Sequence, residues 1–95
     1  MAAVSVLSMH LQLSGCASLK EKRSRLKPLL FQLRREFNIS VAEVDFLESW
    51  QNALIACALV SNDSRFNQSA LEKVAAWVEK TWPDVEVVDY RIERL

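Results

Sequence analysis

The sequence predicts an α+β domain built as two βαβ halves. Two amphipathic helical stretches each lie between apolar strand-like runs, and the element order repeats once along the chain. The third strand is apolar on both of its alternating faces, so both want cover, and self-association through the open face would supply it. The 95 residues suffice for a single domain, residues 1–95, with one core and no second module. A chain this size buries roughly 65% of the surface its unfolded form exposes, which leaves little room for a large internal substrate cavity.

From Val4 to Leu13 the apolar side chains Leu7, Met9, Leu11 and Leu13 alternate with Ser8, His10 and Gln12, the period of a half-buried strand. Ser14-Gly15-Cys16-Ala17 is a short loop holding the only glycine. Ser18, followed three residues later by Glu21, forms a capping-box start for a helix over Leu19–Phe37. Leu19, Leu26, Leu29, Leu30, Leu33 and Phe37 fall on one face of that helix. Pro28 inside it predicts a kink near Ser24–Pro28, and Asn38 is placed to close it in a left-handed conformation.

A second strand over Ile39–Asp45, a turn through Phe46-Leu47-Glu48-Ser49 and a third strand over Trp50–Ser61 follow. Asn62-Asp63-Ser64 caps a second helix over Ser64–Thr81, whose buried face is expected to be Phe66, Ala70, Leu71, Val74, Trp77 and Val78. Trp82-Pro83-Asp84 ends it, and Val85–Ile92 is the last strand. This βαββαβ order fits a ferredoxin-like fold. Right-handed crossovers place both helices on one face of a four-stranded antiparallel sheet, with strands 1 and 3 central.

The formal net charge is zero but unevenly spread. Residues 1–37 carry seven basic side chains (Lys20, Lys22, Arg23, Arg25, Lys27, Arg34, Arg35) against Glu21 and Glu36, whereas residues 38–95 carry five basic and ten acidic ones. No apolar run approaches the ~20 residues that span a bilayer, so no membrane partner is expected. The opening residues read as a strand and not as a signal peptide. Two cysteines without metal or redox spacing fit a reducing cytoplasm, and no metal or cofactor is implied.

Little in the chain suggests catalysis. Cys16 lies near a helix N-terminus, but His10 is the only histidine, and six residues of extended strand set it ~20 Å away. Cys57 reads as a small core residue. The loop before the first helix could take a phosphate on its free N–H groups, yet it lacks the glycines of a Walker or dinucleotide loop. Glu43 and Asp45, two apart on a strand, read as solubilising an edge.

The basic first helix is the strongest functional candidate. At 100° per residue Arg23, Lys27, Phe31 and Arg34 form a stripe away from the leucine face, with Lys20 and Lys22 nearby. Cations interleaved with an aromatic suit phosphate contact plus base stacking, so the expected partner is RNA. A homo-oligomeric protein-interaction module is the alternative. It would use the open sheet face (His10, Leu54, Ala56, Ala58) and the turn residues Phe46, Leu47 and Trp50.

Four stretches, taken together and in order, resemble the YlxP-like family of small bacterial proteins, a domain of unknown function. They are Ser18-Leu19-Lys20-Glu21-Lys22-Arg23, Phe37 to Asp45, Trp50-Gln51-Asn52-Ala53 and Val60-Ser61-Asn62-Asp63. The resemblance covers nearly the whole chain and implies a ferredoxin-like fold. The family's genes often lie beside those of transcription, translation-initiation and ribosome-maturation factors, which implies work near RNA or on a ribosomal particle. The family brings no catalytic residues to transfer.

Overall fold

The computed structural model describes residues 1–95. The elements are β1 (Ala3–Gln12), α1 (Leu19–Glu36), β2 (Ser40–Asp45), β3 (Asn52–Ser61), α2 (Ser64–Thr81) and β4 (Glu86–Arg94). The strands form one sheet in the order β2-β3-β1-β4, with antiparallel neighbours throughout. The ferredoxin-like order read from the sequence is therefore the observed one, with β1 and β3 central.

The core lies between the sheet and both helices. Leu7, Met9, Leu11 and Leu13 from β1 and its end meet Ala53, Ile55, Cys57 and Leu59 from β3. Leu26, Leu29 and Leu33 of α1 and Leu71, Val74, Ala75 and Val78 of α2 cover them. Burial of these aliphatic side chains is the main favourable term in folding, at roughly 25 cal/mol per Å² of apolar surface.

Each edge strand carries one bulge. Val44 is left unpaired in β2 between Glu43 and Asp45, and Val88 in β4 opposite the His10–Leu11 step. A bulge bends and twists its strand, a common way of blunting a sheet edge.

Helix α1 contains Pro28 within its span, as the sequence places it. Three local expectations are corrected. Helix α1 ends with Phe37 in an extended conformation (φ −130°), so Asn38 does not close it in the left-handed region. The capping box is half formed: Ser18 Oγ accepts from the Glu21 N–H at 3.0 Å, while the Glu21 carboxylate turns to Arg25. On α2, Phe66 is 59% exposed, and Asn67 occupies the buried position. Phe66 instead lines an apolar groove of about 270 Å³ with Phe37, Ile39, Val60 and Ala70.

Candidate functional site

Helix α1 is tethered at three points, and the tethers decide which of its cations remain free. Lys20, Arg23, Lys27, Arg34 and Arg35 are exposed, and Phe31 between them is 56% exposed. Arg23, Lys27 and Arg34 line a groove of about 220 Å³ between α1 and β2, shared with Leu26, Leu30 and Glu43. Arg34 Nη2 also donates to the Val41 carbonyl of the edge strand at 3.0 Å, which fixes one wall of the groove. The arrangement offers an anion several cationic donors above aliphatic side chains, with an aromatic ring alongside.

Lys22 does not belong to this exposed set. Its side chain is buried, with Nζ donating to the Phe46 carbonyl at 2.7 Å and lying 2.8 Å from Glu43 Oε2. It is a structural tether between α1 and the β2–β3 turn. The sequence held the signal, since Lys22, Leu26, Leu29 and Leu33 fall at i, i+4, i+7 and i+11 on the buried stripe.

That tether also revises the reading of Glu43 and Asp45. The bulge at Val44 separates the pair. Glu43 turns toward α1 to meet Lys22, while Asp45 Oδ1 accepts the Phe46 N–H at 2.7 Å. Phe46 adopts φ 58°, a left-handed backbone uncommon for a bulky side chain. The Lys22 bond to its carbonyl and the Asp45 bond to its N–H hold it there.

Phe46 in turn stacks on His10, with ring centroids 5.2 Å apart and planes at 30°. His10 Nε2 meets Asn52 Oδ1 at 2.9 Å. One side of the turn is thus fastened to the open sheet face, while Leu47 and Trp50 remain about half exposed. The other residues named for that face, Leu54, Ala56 and Ala58, are half-buried. Ala56 and Ala58 line a shallow apolar hollow of about 250 Å³ with Val6, Ser40 and Ala42.

Arg25 is the tether the sequence reading passed over. Its guanidinium binds both carboxylate oxygens of Asp84, at 3.0 and 3.1 Å, and reaches the carbonyls of Asp84 and Ser14. The Asp84 carboxylate raises its pKa further above the usual arginine value, through hydrogen bonding first and charge second. It therefore closes the β1–α1 loop onto the α2–β4 connection. Nothing local marks it, because Asp84 lies 59 residues away.

Both thiols are buried. Cys16 packs in the core, whereas His10 stands on the opposite face of the sheet, so the two do not form a nucleophile–base pair. Burial pushes the Cys57 thiol up to about 12. No group of three or more His, Cys, Asp and Glu side chains is gathered to hold a metal ion. No helix is long and apolar enough to cross a membrane.

The sequence profile of a family described as "Protein of unknown function (DUF503)" matches residues 4–92. The chain is also similar to the "Uncharacterized protein YlxP" of Bacillus subtilis (strain 168). The two are 33% identical over 76 residues, which span 80% of this chain and 82% of that protein. Among solved structures it resembles the "De novo designed protein Foldit4", with a TM-score of 0.53 and 16% identity over 98% of this chain and 97% of that one. The last likeness concerns the fold alone. The profile match over nearly the whole chain, together with the YlxP similarity, places this protein in the DUF503 family.

Proposed function

We propose that this protein is a non-catalytic accessory factor that binds RNA, free or on a ribosomal particle, through the solvent face of α1. The observation that carries the reading is the groove in which Arg23, Lys27 and Arg34 stand over Leu26 and Leu30, with exposed Phe31 alongside. Phosphates would meet the cations, and a splayed base could stack on Phe31. The contact surface is Lys20, Arg23, Lys27, Phe31 and Arg34, with Lys22 omitted because Glu43 and the Phe46 carbonyl occupy its ammonium. The reading sets α1 apart from the RRM mode, whose bases stack on sheet aromatics. Here the hollow on the open face is lined by alanines and Val6.

Sedimentation of tagged protein in cell lysate, at low and at high salt, tests this. Co-migration with a ribosomal particle at low salt, lost at high salt and lost in Arg23→Glu/Lys27→Glu, is the expected result. Protein found only at the top of the gradient at both salt concentrations would overturn ribosomal association.

A second reading, self-association, is favoured by the exposed Leu47 and Trp50 and by the apolar hollow at Ala56 and Ala58. Light scattering of purified protein checks it, and a strict monomer would remove it.

A further inference from the structure

The two edges of the sheet are treated differently. Strand β2 has six residues, carries the Val44 bulge, and has the Val41 carbonyl capped by Arg34. Strand β4 has nine residues, and no side chain hydrogen-bonds to its backbone. Beyond its bulge it runs regularly from Asp89 to Arg94.

The Leu95 N–H bonds inward to the Val4 carbonyl. In an antiparallel ladder the alternate residues Arg94, Ile92 and Tyr90 therefore turn their N–H and C=O groups outward. A long edge without proline or lysine is a template for another strand. Val88 and Tyr90, 47% and 44% exposed, add apolar surface to it.

We propose that this edge pairs with the same edge of a second copy, forming a two-fold dimer with a continuous eight-stranded sheet. The charge pattern selects both the partner and the register. Asp89 and Arg91 lie opposite His10 and Ser8 in β1 and so share the open face. With Tyr90, the midpoint of Glu86–Arg94, on the two-fold axis, each Asp89 stands beside the partner copy's position 91, and each Arg91 beside its position 89. The dyad thus creates two opposite-charge cross-strand pairs.

The neighbouring registers are worse. An axis at Arg91 sets Arg91 against its own copy and Asp89 against position 93, a glutamate. An axis at Asp89 sets that carboxylate against itself. An axis at Ile92 pairs each Arg91 with the partner copy's position 93, the glutamate it already meets within its own chain, but leaves Asp89 without a partner charge and shortens the overlap. Within one chain Arg91 already meets Glu93 at 3.2 Å, which holds its guanidinium on this face, while Asp89 has no ion-pair partner. The isologous arrangement closes on itself, as a dimer requires.

Light scattering on wild type, Asp89→Arg, Arg91→Asp and an equal mixture of the two variants tests the proposal, with circular dichroism confirming that each variant folds. Wild type should have the mass of two chains. Each variant alone should have half that mass, because like charges then face each other across the axis. The mixture should regain the two-chain mass, because the heterologous pair restores both contacts. A monomeric wild type, a dimer that survives either single reversal, or a mixture that stays monomeric would each overturn the β4 pairing.

Discussion

Lys22 and Asn67 occupy the same place in the two halves of the molecule. Each is the fourth residue of an 18-residue helix, and each heads a buried stripe with the same spacing, Leu26-Leu29-Leu33 in α1 and Leu71-Val74-Val78 in α2. Both are buried polar residues, and both tie a helix to a strand end. Asn67 does so without charge: it accepts from Ser61 Oγ at 2.6 Å and donates to the Ala3 carbonyl at 3.1 Å. Lys22 uses an ammonium, and so requires Glu43 as counter-charge and the Phe46 carbonyl as acceptor.

The difference separates two kinds of helix. α2 lies over the sheet on an apolar face with one neutral network at its start. α1 sits toward the β2 edge, fastened by Lys22, Arg25 and Arg34, and exposes its remaining cations. A cation on a helix is therefore no guide to function until its partners are known. Lys22 and Arg25 build the fold, whereas Arg23 and Lys27 have no carboxylate partner.

Breaking the Lys22 tether should have the larger effect. Lys22→Ala leaves Glu43 and the Phe46 carbonyl without their partner and should cost about 2–4 kcal/mol in denaturant unfolding. Lys22→Met/Glu43→Leu removes both charges together and should recover most of that loss. If the double variant were as unstable as the single one, the carbonyl bond and not the ion pair would dominate.

Asn67→Ala should cost less, about 1–3 kcal/mol, since the groups it abandons are neutral. A loss larger than that of Lys22→Ala would reverse the ranking of the two tethers.

The core beneath both helices has its own titration. The Cys57 thiol is raised from 9.0 to about 12, so between those values the unfolded chain gives up a proton that the folded chain keeps. Stability is then fully present below about pH 9 and falls as pH rises through that window. Cys57→Ala should flatten this alkaline decline, as measured by unfolding midpoints at pH 8 and above. An unchanged slope would place the alkaline loss elsewhere. The smallest effect on folding belongs to Arg23→Glu/Lys27→Glu, whose unfolding free energy should stay within about 0.5 kcal/mol per site of wild type, because both side chains are exposed.

Much of this architecture is legible in the residues. Period-two alternation in β1 and the Asp63 cap of α2 mark out the βαββαβ order, and the split βαβ topology then places β1 and β3 at the centre. The candidate site was legible in part. Helical spacing places Arg23, Lys27 and Phe31 on the outer face of α1, but grouping Lys22 with them required counting charge before position on the wheel. Position alone would have buried it. The same arithmetic places Asn67 inside, where the stronger apolar character of Phe66 draws attention to the wrong residue. Long-range partners such as Asp84 for Arg25 leave no periodic trace, and neither does the bulge that turns Glu43 away from Asp45.

The most direct measurement of the central claim is equilibrium binding of a labelled single-stranded RNA to the purified protein across a salt series, beside Arg23→Glu/Lys27→Glu. Contact by the four cations Lys20, Arg23, Lys27 and Arg34 predicts a log–log salt slope of about −3 for wild type, and little binding at any salt for the variant. Wild-type affinity that does not change with salt, or a variant that binds as tightly as wild type while remaining folded, would contradict the assignment of α1 as the RNA-binding face.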